Sequence, residues 1–148
     1  MANHSLANPQ HLERLQRMFL AAPINRIFRP EVSVGSGEAT IRMEVTEDLF
    51  HPGGFAHGVV YFKLLDSSAF LAANSLEQEF LLVTTQFSIQ FIRPLKACSV
   101  HARANVLRRA GSAIISEAKL FDGEMIVAEG VGTFRRSSVP LSAGIGYV

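Results

Sequence analysis

Residues 51–74 read HPGGFAHGVVYFKLLDSSAFLAAN. From about His57 the run is too long for a typical strand and rich in helix formers, and Asn74-Ser75 supplies a stop. The spacing predicts one helix over 57–74 with apolar residues on every side, so the helix must be buried nearly all round. Within it lies a single carboxylate, Asp66. Burying an unpaired carboxylate is costly, so Asp66 needs a reason to be there. The glycine-rich turn from His51 to Gly58 runs straight into the start of this helix.

The flanking segments suggest what covers it. Asn8-Pro9 is a capped helix start, and Leu12, Leu15, Met18 and Phe19 recur at helical spacing, predicting a packing helix over 9–21. RIFRPEVSV and EATIRMEV, joined by Gly35-Ser36-Gly37, predict two strands. In the second, Ala39, Ile41, Met43 and Val45 share one face. Residues 46–56 form a loop. After the helix, LLVTTQFSIQFIRPL, SVHARANVLRRAG and the two halves of SAIISEAKLFDGEMIVAEGVGTFRRS predict four more strands, the last pair about an Asp122-Gly123 turn. The order is helix, two strands, long buried helix, four strands. An α+β fold follows, with a curved antiparallel sheet wrapped around one central helix, the hotdog arrangement. One sheet leaves the helix's far side open, so a second subunit or another layer must close it.

Composition narrows the function. The 148 residues are most simply one domain. They are 48% hydrophobic and 18% charged, richer in core formers than a small monomer needs. Net charge is +1 and no basic block or stripe stands out, Arg108-Arg109 and Arg135-Arg136 being isolated pairs, so a nucleic-acid partner is not expected. The lone Cys98 forms no internal disulfide and fits a reducing cytoplasm. The N-terminus does not read as a signal peptide, and no apolar run approaches the roughly 20 residues of a membrane span. His4, His11 and His101 have no neighbours at ligand spacing, so neither metal nor cofactor is expected.

The first amides of a helix lack partners within it and sit at the positive end of its dipole. Such an end can hold an oxyanion or polarise a carbonyl, and Gly58 leaves the approach to the backbone clear. Asp66 lies about 12 Å further along the same axis, too far for both to act on one carbonyl and its attacking water. Either the two are unrelated, or they serve different chains. Antiparallel pairing of two such helices would unite them, so the spacing favours a dimeric site. At the start of the next strand Thr84 or Thr85 could bond Asp66 or hold a water, and strand alternation turns only one of them inward.

The stretch HPGGFAHGVVYFKLLDSSAFLAAN, with VTTQFSIQFIRP after it, resembles the hotdog-fold acyl-CoA thioesterases, in particular the branch related to phenylacetyl-CoA thioesterase. The family pattern is Asn-x-x-Gly-x-x-His-Gly-Gly, then an Asp seven residues after the second of the paired glycines. Gly54, His57, Gly58 and Asp66 fall on that pattern, and the likeness extends over about residues 25–136. It implies an N-terminal helical extension over 1–24 and a thioesterase domain over 25–148. It also implies an acyl-CoA substrate and a homodimer or dimer of dimers. In the carried-over roles Gly58 is the oxyanion donor, Asp66 of the other chain the general base or nucleophile, and Thr84 the hydroxyl that positions water. Two positions depart from the family: His51 stands where it has Asn, and Val59 replaces the second glycine. His51 joins the catalytic candidates, while His57, Val59, Gly54, Phe62 and Phe87 are candidate substrate contacts. The rival readings are a non-catalytic acyl-CoA-binding protein and a hotdog hydratase or dehydratase.

Overall fold

The computed structural model describes residues 7–148. In chain order it comprises α1 (Pro9–Ala21), a single turn α2 (Asn25–Phe28), β1 (Glu31–Gly35), β2 (Glu38–Val45), α3 (Gly58–Asn74), β3 (Phe80–Phe91), β4 (Cys98–Ala110), β5 (Ala113–Asp122) and β6 (Met125–Pro140). All pairings are antiparallel, and the strands form one sheet in the order β1-β2-β4-β5-β6-β3. Helix α3 touches every one of these strands. Six strands laid flat would span about 24 Å, far wider than a helix about 10 Å across, so the sheet must curl around it. This is the hotdog architecture.

Helix α3 buries Val60, Leu64, Leu65, Leu71, Ala72 and Ala73 against that curl. The one side the sheet leaves open carries Val59, Phe62, Lys63, Asp66 and Phe70, spaced as a helical stripe. Val59 and Phe62 are exposed and the other three half-buried. Buried Ser68 donates its hydroxyl to the Leu64 carbonyl within the helix. At the C-terminal end, buried Asn74 donates to the carbonyls of Glu77 and Phe80 and accepts from the Leu82 amide, tying the helix end to β3.

Strand β3 is an edge: among the described residues it pairs with β6 and with no other strand. A bulge between Thr84 and Gln86 puts Thr85 out of register, and the Thr85 hydroxyl donates to the Thr133 carbonyl. The ring of Phe87 lies on Gly130 and Gly132 of β6; a Cβ at either would fall 2.5–2.6 Å from it.

One expected strand segment is corrected. Residues 25–28 form a helical turn, and β1 begins only at Glu31. Pro23 cannot continue α1, and the amides of Asn25, Arg26 and Ile27 close short turns onto Ala22, Pro23 and Ile24. The Asn25 side chain also donates to the Phe19 carbonyl. Arg29 then adopts φ 48°, and Pro30 turns the chain into β1. Local hydrogen bonds here outweigh the β pattern of the apolar residues. Within the 46–56 loop, Glu47–Leu49 form a 3-10 turn and Phe50 bridges Ala56.

Helix α1 packs on this assembly through Leu15, Met18 and Phe19. Buried His11 on α1 donates Nε2–H to the Asn74 carbonyl at 2.9 Å, so its Nδ1 accepts from the Tyr147 hydroxyl at 2.7 Å. The first six residues, including His4 and part of the expected 1–24 extension, lie outside the described ones.

Burial holds the His11 pKa below its ordinary 6.5. The unfolded chain therefore takes up the proton near 6.5, the folded chain only at lower pH. Stability from this site is full above that value and is lost as the pH falls toward the folded pKa. Over the window where only the unfolded chain is protonated, each pH unit costs about 1.4 kcal/mol. Thermal melts between about pH 7.5 and 5 should show Tm falling as the pH drops. His11→Gln should flatten that slope; an equal slope in both proteins would clear His11 of the effect.

Candidate active site

The loop before α3 is held by backbone hydrogen bonds from His51 to Phe55, Ala56 to Leu95 and His57 to Leu49. Gly54 serves the turn with φ 86°, a conformation that side chains disfavour. At the helix start, His57 is the N-cap: its Nδ1 accepts from the Val59 amide at 2.9 Å. Its carbonyl accepts from the Val60 amide. The Gly58 amide between them has no acceptor among the described residues. It opens into a concavity of about 330 Å³ bounded by His51, Phe55, Tyr61, Phe91 and Arg93.

His51 has a fixed tautomer there. A backbone amide can only donate, and the Gly53 amide points at His51 Nδ1 from 2.9 Å. In the neutral ring the proton then sits on Nε2, which makes His51 a hydrogen-bond donor of the kind an Asn side chain also supplies. A Cβ at Gly53 would approach the ring to 2.7 Å, so the glycine makes room for this packing.

Further along α3, the Thr84 hydroxyl donates to Asp66 Oδ1 at 2.7 Å. Burial pushes the Asp66 carboxyl above its ordinary value, opposed by the Thr84 hydrogen bond and the Lys63 charge. A carboxylate so placed is a stronger proton acceptor than a solvated one. Thr84→Val would remove a donor to the charged form and raise the Asp66 pKa further. The acid limb of the pH–rate profile should move to higher pH and kcat should drop by about tenfold, a lost hydrogen bond to a charge. An unmoved limb would separate Thr84 from the ionisation that governs rate.

Gly58 and Asp66 belong to one helix but to different surfaces of this chain: the concavity at Gly58 does not include Asp66. Phe62 and Phe87 meet edge-to-face with ring centroids 5.6 Å apart, beside exposed Val59. Phe80 instead lies under the Arg136 guanidinium. Of the arginine pairs, Arg136 is held by Glu77, Arg135 by Ser112 and Arg109 by the Leu76 carbonyl.

Three contributors escape a reading of the sequence. Phe91 stands over Gly58, 3.5 Å from where a Cβ would be. Tyr61 packs against Phe91 and donates its hydroxyl to the Arg93 carbonyl. Lys63, one turn before Asp66, stacks its ammonium on Phe19 at 4.8 Å. Only Lys63 had a visible signal, its i, i+3 spacing to Asp66.

A central helix wrapped by one antiparallel sheet defines a hotdog protein, here with a free amide at the helix start and a hydroxyl-supported carboxylate midway. The chain belongs to the thioesterase superfamily, whose family model matches residues 53–129. The 1,4-dihydroxy-2-naphthoyl-CoA hydrolase of Listeria monocytogenes is 30% identical over 92 residues, covering 62% of this chain and 75% of that one. Among solved structures, a conserved protein of Pseudomonas aeruginosa superposes with TM-score 0.75 at 28% identity, over 82% of this chain and 98% of that one. The E. coli PaaI protein from the phenylacetic acid degradation operon shares the fold, with TM-score 0.81 at 20% identity, over 90% and 97% of the two chains.

Proposed function

We propose that this chain hydrolyses acyl-CoA thioesters as a homodimer or a dimer of dimers, each site shared between two subunits. The observation that carries the reading is the pairing of Asp66 with the Thr84 hydroxyl, on the open stripe of the helix whose first amide is free. The hydrolase and thioesterase relatives support the reaction type. A shared site is supported by the long unpaired edge of β3 and by exposed Val59, Phe62, Val83, Phe91 and Ile92, an apolar surface suited to a second copy.

The thioester carbonyl oxygen accepts from the Gly58 amide of one subunit, with His51 Nε2–H facing the same concavity. Asp66 of the partner subunit takes a proton from water, and the water oxygen attacks the carbonyl carbon. The negative charge that develops on the carbonyl oxygen is met by a donor already in place. Collapse breaks the carbon–sulfur bond, and the thiolate recovers the proton from the Asp66 carboxyl. The products are the free acid and CoA.

Thiol release from a panel of acetyl-, butyryl-, octanoyl-, phenylacetyl- and benzoyl-CoA, run beside Asp66→Asn, tests this. Hydrolysis of at least one member, lost in the variant, is expected; no hydrolysis of any member by the wild type would overturn the reading.

A further inference from the structure

Between the C-terminal end of α1 and the tail that follows β6 lies a cavity of about 520 Å³. Met18, Phe19, Ala22, Phe70, Leu81 and Ile145 supply its apolar walls, and no charged side chain among the described residues lines it. We infer that this cavity receives the acyl group of the substrate, and that α1 and the C-terminal tail decide which acyl groups fit. The inference rests on the thioesterase reading and deepens it by naming the substrate class: uncharged aliphatic or aryl acyl groups without a terminal carboxylate.

Position comes first. Phe70 follows Asp66 by one helical turn on the same open stripe, about 6 Å along the axis. Phe19, another wall, carries the ammonium of Lys63, whose charge also acts on Asp66. The Phe70 wall of the cavity therefore lies one helical turn from the carboxylate, on the same subunit.

Chemistry sorts the two halves of the substrate. A carbonyl held over Asp66 must send its acyl and thiol substituents in different directions. CoA is large and polyanionic, and an apolar space without a cation rejects it. The acyl group loses water-exposed surface on entering, worth about fourfold in binding per methylene. The volume lies within the roughly 300–1,000 Å³ of small-molecule sites.

The walls are also built to hold shape. Tyr147 bonds His11, and Arg17 donates to the Val148 carbonyl. The Leu141 amide donates to the Glu79 carbonyl. Gly146, at φ 88°, lies against α1, where a Cβ would meet Ala21 at 3.5 Å. Apart from Phe70 and Leu81, the lining residues lie outside the 53–129 segment that matches the superfamily. The Gly58 amide, Asp66 and Thr84 thus sit inside the matched segment, while acyl selection sits on segments outside it, at its two ends.

Ala22→Trp, at the end of α1, fills the cavity from its wall. The probes are acetyl-, butyryl-, hexanoyl-, octanoyl- and succinyl-CoA, and the readout is the ratio of octanoyl to acetyl kcat/KM. In the wild type that ratio should exceed about tenfold and succinyl-CoA should be poor; in Ala22→Trp the ratio should fall at least about tenfold. Ile145→Ala, which enlarges the space, should move the optimum to longer chains. Leu20→Gln, on the exposed face of the same helix, should leave the ratio at its wild-type value and so controls for damage to α1. An unchanged ratio in both Ala22→Trp and Ile145→Ala, or a wild type that prefers acetyl- or succinyl-CoA, overturns the inference while leaving the thioesterase reading intact. A wild type inactive on every thioester, in the panel above as well, overturns the reading and the inference together.

Discussion

Asp66→Asn is expected to lower kcat for acyl-CoA hydrolysis by about 10²–10⁴-fold, the usual worth of a positioned general base, with KM changed little. The substitution is nearly isosteric, and the Thr84 hydroxyl can still donate to the amide oxygen that replaces Asp66 Oδ1. Stability provides the control. Because burial raises the Asp66 pKa above its ordinary value, the folded chain disfavours the charged form. A raised pKa contributes stability below the unfolded value and loses it as pH rises through the folded one. At neutral pH the asparagine variant should therefore melt no lower than the wild type. A dead enzyme of normal Tm assigns the loss to chemistry. A kcat within about tenfold of wild type would show that the carboxylate is not the base.

Gly58→Pro is expected to cost about 10²–10³-fold in kcat, the typical loss for one oxyanion donor. The first helical position tolerates proline well, because its amide has no partner inside the helix and the fixed φ suits the start. His57 already has the extended backbone, ψ 146°, that a residue before proline requires. The change therefore deletes one hydrogen atom's worth of chemistry with little else. Gly58→Ala keeps the amide, and its Cβ would meet Phe91 at an ordinary 3.5 Å, so it should retain most activity.

The two dead variants together test the geometry. Refolded as an equal mixture, half of the dimers pair a Gly58→Pro chain with an Asp66→Asn chain. Each such dimer has one site with both groups intact, so the mixture should regain about a quarter of wild-type activity. No recovery would place a complete site within each subunit. The helix spacing makes that arrangement hard to build, since about 12 Å of α3 separates the two groups.

The readable parts of this fold are those in which the pattern is local. Residues 57–74 announce a helix by length and composition, and Asp122-Gly123 announces a hairpin because Gly123 takes φ 61° in it. Strand parity requires only that one of Thr84 and Thr85 face α3, and it is Thr84 that bonds Asp66. Parity also hid something: the bulge at Thr85 shifts the strand beyond it, a detail set by pairing with β6. Residues 25–28 read as strand because Ile27 and Phe28 look β-like, while the hydrogen bonds that bend the chain give no periodic signal. The cavity beside Phe70 was invisible for a different reason. Its walls come from residues 18, 19, 21–23, 70, 81 and 144–146, and no spacing rule joins such distant segments. The ring of Phe91 over Gly58 is hidden in the same way.

The wrapping of α3 by all six strands also sets the order in which the protein can be made. Synthesis delivers α3 when only β1 and β2 precede it, while β3 to β6, most of its cover, are still to come. Until then a helix with almost no polar side stands open to any other apolar surface in the cell, including another nascent copy of itself. Its contacts are mostly with segments distant in sequence, so they form late and slowly. The architecture that wraps one helix in six strands therefore makes every new chain depend, for a time, on protection that its own sequence has not yet supplied.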